Sequence, residues 1–136
     1  MRKSFKKVIA SVMAITTMAV SMVGITTNAD TVIWNTPYGT ATGESFTTLW
    51  SMSNSPLYRK VEAKTTVVNA VPYIYARIEA YHNGNLVLSN EATWQNTTMV
   101  YTEDMSTSYV NSTLHGNGTH AVWSSSHTRV NHYSYF

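Results

Sequence analysis

A strict alternation of residue types between Tyr73 and His82 constrains the fold of this chain more than any other feature. Tyr, Arg or Glu occupies each odd position of this segment, and four even positions are apolar: Ile74, Ala76, Ile78 and Ala80. Successive side chains of a β-strand point to opposite faces of the sheet. The period of two therefore predicts a strand whose Ile and Ala face points into a core.

Asn83 and Gly84 follow this strand directly, and this dipeptide is the strongest short-range signal of a β-hairpin. A two-residue loop would leave Leu86 on the outer face of the hairpin. A three-residue loop, His82–Gly84, pairs Ala80 with Leu86 and brings this leucine inside. Because a shift of one residue moves every side chain to the other face, we expect the three-residue loop.

Shorter segments rich in Thr, aromatic and β-branched residues predict further strands. We expect them at Thr31–Trp34, Ser45–Met52, Arg59–Asn69, Thr97–Thr102, Ser106–Leu114, Thr119–Ser125 and Thr128–Tyr135. Turn signals separate them at Pro37–Gly43, Ser53–Pro56, Glu103–Asp104 and Gly116–Gly118. Short strands joined by turns predict an all-β fold, either an antiparallel β-sandwich or a small barrel.

The N-terminus has the pattern of a secretory signal peptide. Four cations precede an uncharged, largely apolar run from Val8 to Ile25, and the small residues Thr27 and Ala29 follow. We expect a helical signal peptide over residues 1–29, cleaved after Ala29, and a single β domain over residues 30–136. An uncleaved membrane anchor is the alternative, because the apolar run approaches the length that spans a bilayer.

Removal of residues 1–29 changes the charge of the chain. Four of its nine Lys and Arg residues leave and all seven Asp and Glu residues stay, so the mature formal charge is −2. The remaining cations are scattered, which argues against nucleic-acid binding, and no second apolar run could span a membrane. The chain has no cysteine. We therefore expect a secreted, extracellular protein without disulfides, of the kind that Gram-positive bacteria export.

Histidine is the most distinctive polar residue near the C-terminus. If Asn117 and Gly118 form a two-residue turn, His115 and His120 face each other across two strands. With a third ligand from His127 or His132, such a pair could hold zinc or copper. The alternative is a set of ordinary histidines, because no recognised metal-binding spacing is present. We therefore predict no cofactor.

Catalytic signatures are missing from the chain. It contains no GxSxG segment, and its few acidic residues cannot be placed as a facing pair from the sequence. We therefore expect a protein that is not an enzyme.

Aromatic residues offer a binding surface. Tyr73, Tyr75 and Tyr81 lie on the predicted outward face of the alternating strand. Outward tyrosines could stack on sugar rings or peptides, whereas the four tryptophans are more simply explained as core residues or as part of an ordinary solvent face. This surface predicts a non-catalytic module that binds cell-wall or glycan ligands.

Short motifs also occur in a characteristic order along the mature chain: Trp34, Tyr38–Gly39, Ser53–Asn54, Thr66–Asn69, Ala121–Trp123, and the terminal aromatics Tyr133, Tyr135 and Phe136. This order resembles the lactococcin-type family of secreted, unmodified bacteriocins. The resemblance implies a small β-sandwich without disulfides, and it implies action on bacterial cell-wall synthesis through the lipid-linked precursor. It favours a secreted antibacterial protein acting at the target cell envelope, with the glycan-binding module as the alternative.

Overall fold

Six β-strands build the part of the chain that the computed structural model describes, residues 26–51 and 56–136. They are β1 (Thr26–Thr36), β2 (Gly39–Trp50), β3 (Tyr58–His82), β4 (Asn85–Ser106), β5 (His115–Trp123) and β6 (His132–Tyr135). All paired strands are antiparallel, and these residues contain no helix, so none that could cross a membrane. The all-β, antiparallel prediction is confirmed. Residues 1–25 of the predicted helical leader lie outside the described residues.

The long strand β3 organises the sheet, because it pairs on both edges. Its first half lies between β2 and the second half of β4, and its second half lies between β5 and the first half of β4. Pairing with β4 breaks between Thr66 and Val71. Next to this break Pro72 has no N–H to donate. The sheet folds over here, so that β2 lies against β5 and β6.

Side chains close the folded sheet where the backbone ladder stops. At one seam Asp30 Oδ2 accepts a hydrogen bond from the backbone N–H of Tyr135 at 3.3 Å, which joins β1 to β6. At the other seam Asp104 Oδ2 accepts from the backbone N–H of Ser89 at 3.0 Å, which joins the two halves of β4. The result is a nearly closed antiparallel sheet in which side chains satisfy some of the backbone groups at the edges.

The inner face predicted for Tyr73–His82 is confirmed. Its four apolar side chains are fully buried: Ile74, Ala76, Ile78 and Ala80. Apolar residues from the first half of β3 and from β4 pack in the same core: Val61, Ala63, Val67 and Val100. Burial of this apolar surface is the main favourable term in holding the two halves of the sheet together.

The hairpin after β3 turns at Asn83–Gly84 as predicted, but its register differs. Both turn residues have positive φ, 51° and 79°, as a two-residue type I′ turn requires. A bulge then shifts the pairing, so that Ala80 faces Leu88 and not Leu86. Leu88 is buried and Leu86 is 50% exposed. The expected three-residue loop is wrong, because the loop has two residues. The bulge after it shifts the register and places Leu88, and not Leu86, on the inner face.

Other local predictions are wrong where tertiary contacts override turn propensity. The turns expected at Glu103–Asp104 and Gly116–Gly118 lie inside β4 and β5, and the Pro37–Gly43 turn narrows to residues 37–38. The strand expected at Ser106–Leu114 is a loop after its first residue, and the last strand begins only at His132. Arg59 holds this loop, because its guanidinium donates to the backbone carbonyls of three loop residues: Tyr109, Val110 and Ser112.

The predicted cleavage point after Ala29 lies within β1. The register of β1 against β2 shifts between Thr27 and Asp30, so the point coincides with an irregularity in the pairing. From Asp30 onward β1 pairs continuously with β2 as far as Thr36. The part of β1 that closes the seam with β6 therefore lies on the mature side of this point.

Candidate ligand-binding face and groove

Six aromatic side chains lie on the outer side of β3, β5 and β6, and we call them the outer aromatic face: Tyr73, Tyr75, Tyr81, Trp123, Tyr133 and Tyr135. Tyr73 pairs with Trp123 across β3 and β5. Tyr133 pairs with Thr119, and Tyr135 pairs with Asn117, across β5 and β6. Cross-strand partners share a face of the sheet, so the antiparallel register gathers aromatics from three strands.

The flattest part of this face is the pair formed by Tyr73 and Trp123. Their ring centroids lie 5.4 Å apart with an interplanar angle of 13°. The Arg129 guanidinium lies over the Tyr75 ring at 4.0 Å from its centroid and 4.9 Å from that of Trp123. Both contacts fall within the range of cation–π interactions. The cluster offers an apolar surface beside a hydrogen-bond donor.

The other two predicted tyrosines are fixed by hydrogen bonds. Tyr75 is only 6% exposed, and its hydroxyl donates to Glu91 Oε2 at 2.6 Å. Burial, together with this hydrogen bond, raises the pKa of Tyr75. The Tyr81 hydroxyl donates to Glu79 Oε2 at 2.9 Å, and this bond is the main reason that the pKa of Tyr81 is raised. Tyr75 therefore contributes little exposed surface to the face. Tyr81 lies at the opposite end of the face from Tyr73.

A groove of about 790 Å³ adjoins the Tyr81 end of this face. The β3–β4 hairpin, the loop after β4 and the start of β5 form its walls. Tyr81 and polar side chains line it, among them His82, Asn83, Asn111, Ser112, His115 and Asn117. No Asp, Glu, Lys or Arg belongs to this lining within the described residues. The side-chain oxygen of Asn117 is buried and has no hydrogen-bond partner among the described residues.

The structure does not bring His115 and His120 together as the metal hypothesis requires. They lie on the same strand, five positions apart, because Asn117–Gly118 continues β5 and does not turn. His115 is exposed in the groove, whereas His120 is fully buried on the opposite face. Among residues 26–51 and 56–136 no group of three or more His, Asp or Glu side chains is arranged to hold a metal ion. The facing histidine pair is therefore wrong.

His120 instead belongs to a buried polar chain that crosses the interior. Thr65 Oγ1 donates to the backbone carbonyl of Tyr75 at 2.7 Å and lies 2.8 Å from His120 Nδ1. His120 Nε2 lies 2.8 Å from Ser134 Oγ, and Ser134 Oγ donates to Ser45 Oγ at 2.7 Å. Each ring nitrogen of His120 is therefore hydrogen-bonded to a hydroxyl group. Burial lowers the pKa of His120 to about 3.

A patch of mixed charge lies elsewhere, on β2, β3 and β4. Lys60 Nζ lies 3.2 Å from a carboxylate oxygen of both Glu62 and Glu103. Burial raises the pKa of Glu62, and it raises the pKa of Glu44 to about 7 against the opposing charge of Lys64. These charges compensate one another, and the patch differs from the groove, whose lining contains no Asp, Glu, Lys or Arg.

Sequence reasoning missed Trp123, Arg129 and the groove. The sequence assigns Trp123 no binding role, since nothing in it reports that β5 pairs with β3 and places this ring beside Tyr73. The groove combines residues from three segments that are distant along the chain. Comparison with protein-family models, with curated proteins and with solved structures finds no match to this chain.

Proposed function

We propose that this protein is an exported, non-catalytic module that binds a glycan of the bacterial cell envelope through the outer aromatic face. The observation that carries the proposal is the stacked pair of Tyr73 and Trp123 with Arg129 beside it. Sugar rings present flat C–H surfaces that pack on aromatic rings, and hydroxyl edges that need polar partners. Binding sites for such ligands combine aromatic surface with a few well-placed polar groups.

The polar partners at this end of the face have fixed positions. Glu91 is hydrogen-bonded to Tyr75, and Arg129 donates through Nε to Asn131 Oδ1 at 3.0 Å while its guanidinium lies on the rings. A ligand that binds here meets groups that are already ordered, so less conformational entropy is lost on binding.

Export is supported by the leader pattern and by the way the sheet is closed. A chain without cysteine must be stable outside the cell through packing alone. Its apolar interior and the two side-chain seams serve this purpose.

The order of motifs that resembles lactococcin-type bacteriocins favours a second, related candidate function, antibacterial action. Glycan binding would then be the step that brings the protein to the envelope of its target. Addition of the purified protein to a panel of Gram-positive strains tests this candidate. Growth inhibition by the wild-type protein that is lost in Trp123→Ala would link the two functions. If every strain grows as fast with the wild-type protein as without it, antibacterial action is contradicted.

The binding proposal is tested with the full chain expressed in a Gram-positive host and purified as the host processes it. Retention on purified cell walls and on neutral polysaccharides is measured for the wild type, Tyr73→Ala and Trp123→Ala. We expect each variant to bind roughly tenfold more weakly, which corresponds to about 1.4 kcal/mol. Trp94→Ala is the matched control, since Trp94 is 42% exposed and lies outside the outer aromatic face. Unchanged retention of both variants would contradict the proposal.

A further inference from the structure

We infer that the groove at the end of the outer aromatic face holds one neutral sugar unit of the glycan that the face binds. The face and the groove then form a single binding track. This inference rests on the proposed function, because the aromatic face is the other part of the track. It adds a second contact site and restricts the ligand to elongated glycans that also pass the Arg77–Glu79 ion pair on the same face of β3.

The face and the groove are continuous. Tyr81 belongs to both, and it pairs with His115, which lines the groove. Asn117, also in the groove, pairs with Tyr135 of the face. Tyr73 and Tyr81 are eight residues apart on an extended strand, which at 3.3 Å per residue is about 26 Å. A ligand that contacts both ends must therefore be a chain of several sugar rings.

The lining of the groove fits hydroxyl groups. Imidazole, amide and hydroxyl side chains each donate and accept hydrogen bonds, as sugar hydroxyls do. The lining contains no Asp, Glu, Lys or Arg to balance a charged ligand, so a neutral one fits. The unpartnered oxygen of Asn117 is an acceptor without a donor.

The walls of the groove are held in place by residues outside it. Three hydrogen bonds of 3.1–3.2 Å from the Arg59 guanidinium fix the backbone of the loop that forms one wall. The Tyr81 ring is fixed through its bond to Glu79. The His82 ring lies 5.9 Å from that of Tyr109 in the same loop. The groove is therefore ordered before a ligand binds, which reduces the entropy lost on binding.

Calorimetry with β-1,4-linked glucose and N-acetylglucosamine oligomers of increasing length tests the inference on the processed full chain. We expect affinity to rise once an oligomer reaches from Tyr73 to the groove. In His115→Ala and Asn111→Ala, both at exposed positions, the longest oligomers should bind roughly tenfold more weakly. The shortest oligomers contact the face alone, so they should bind these variants as tightly as they bind the wild type. His127→Ala, exposed and outside the groove, is the matched control.

Two contrary results have separate meanings. If the groove variants bind oligomers of every length as the wild type does, while Trp123→Ala weakens binding, the groove inference is overturned and the proposed function stands. If the wild type binds no oligomer, or if Trp123→Ala also has no effect, both are overturned. As a second readout, the imidazole NMR signals of His82 and His115 should shift with long oligomers only; signals that do not shift would overturn the inference.

Discussion

His120 shows how single residues shape the interior of this sheet. Its ring spans the space between the two halves and is hydrogen-bonded at both nitrogens. The ring fits because Gly43 and Gly118 have no side chain. A Cβ at Gly43 would lie 2.3 Å from two ring atoms, and one at Gly118 would lie 2.6 Å from Nε2. The glycines and the histidine therefore depend on one another, although 77 positions separate Gly43 from His120.

Gly43→Ala should destabilise the protein strongly. The added methyl group overlaps the His120 ring, and that ring cannot move without breaking its hydrogen bonds. Overpacking of this kind costs about 1–3 kcal/mol, occasionally more. Urea unfolding measures the loss, with Thr40→Ala, at an exposed position of the same strand, as the control. Equal stability of Gly43→Ala and wild type would show that the ring does not occupy this space.

The stability of the fold should depend on the protonation of His120. Its folded pKa, about 3, lies below the ordinary value of 6.5, so protons bind the unfolded chain first. The contribution of this group to the free energy of unfolding is fully present above about pH 6.5. It decreases as the pH falls towards 3, by at most about 1.4 kcal/mol per pH unit. His120→Gln should remove this part of the pH dependence of unfolding. The same slope in the variant would contradict a neutral, buried imidazole.

At the scale of elements, Arg59 decides the conformation of the segment between β4 and β5. The sequence of this segment is compatible with a strand, and a strand was expected. Three of its carbonyl groups instead accept hydrogen bonds from one guanidinium, and Leu114 from the same loop is buried in the core. A planar group with several fixed donors is suited to this task, and an ammonium group is not.

Arg59→Lys should therefore loosen the loop while the sheet persists. A lysine cannot reach three carbonyls in the geometry of the guanidinium. Hydrogen exchange should become faster at the loop amides, Ser112 N–H among them, and remain slow in the paired centre of β3. Lys64→Arg, at a partly exposed position on the same strand, serves as the control. Unchanged exchange in the loop of Arg59→Lys would contradict this role.

At the scale of the whole molecule, closure of the sheet limits association with other chains. Open strand edges are templates for pairing with further molecules. Within the part of the chain that the structure describes, β4 pairs only with β3, and side chains of its two halves satisfy part of its outer edge. The fold therefore depends on a few polar side chains at positions where a fully closed barrel would have a backbone ladder.

Asp104→Ala should promote association at high concentration. The substitution removes the carboxylate that accepts from the Ser89 and Met105 N–H groups, so these edge donors become free. Light scattering should report a rise in average mass with concentration. Asp104→Asn keeps one side-chain acceptor and should remain closer to the wild type. If Asp104→Ala stays monomeric wherever the wild type does, this seam does not protect the edge.

The outer aromatic face was only partly predictable. Alternation within one strand placed Tyr73, Tyr75 and Tyr81 on its outer side, because the period of two is a property of the extended backbone. The addition of Trp123 depends on the pairing of β3 with β5, which joins residues 50 positions apart. The burial of Tyr75 also depends on contacts outside its strand, with Glu91 and Arg129.

What the sequence determined by itself was local: the alternating strand, the Asn83–Gly84 turn and the predominance of strands. Each follows from the geometry of a few neighbouring residues. Only the tertiary structure decided the bulge that places Leu88 inside, the loop held by Arg59 and the separation of His115 from His120. In these places a distant side chain or strand offers hydrogen bonds or burial that outweigh the weak local preference of the segment.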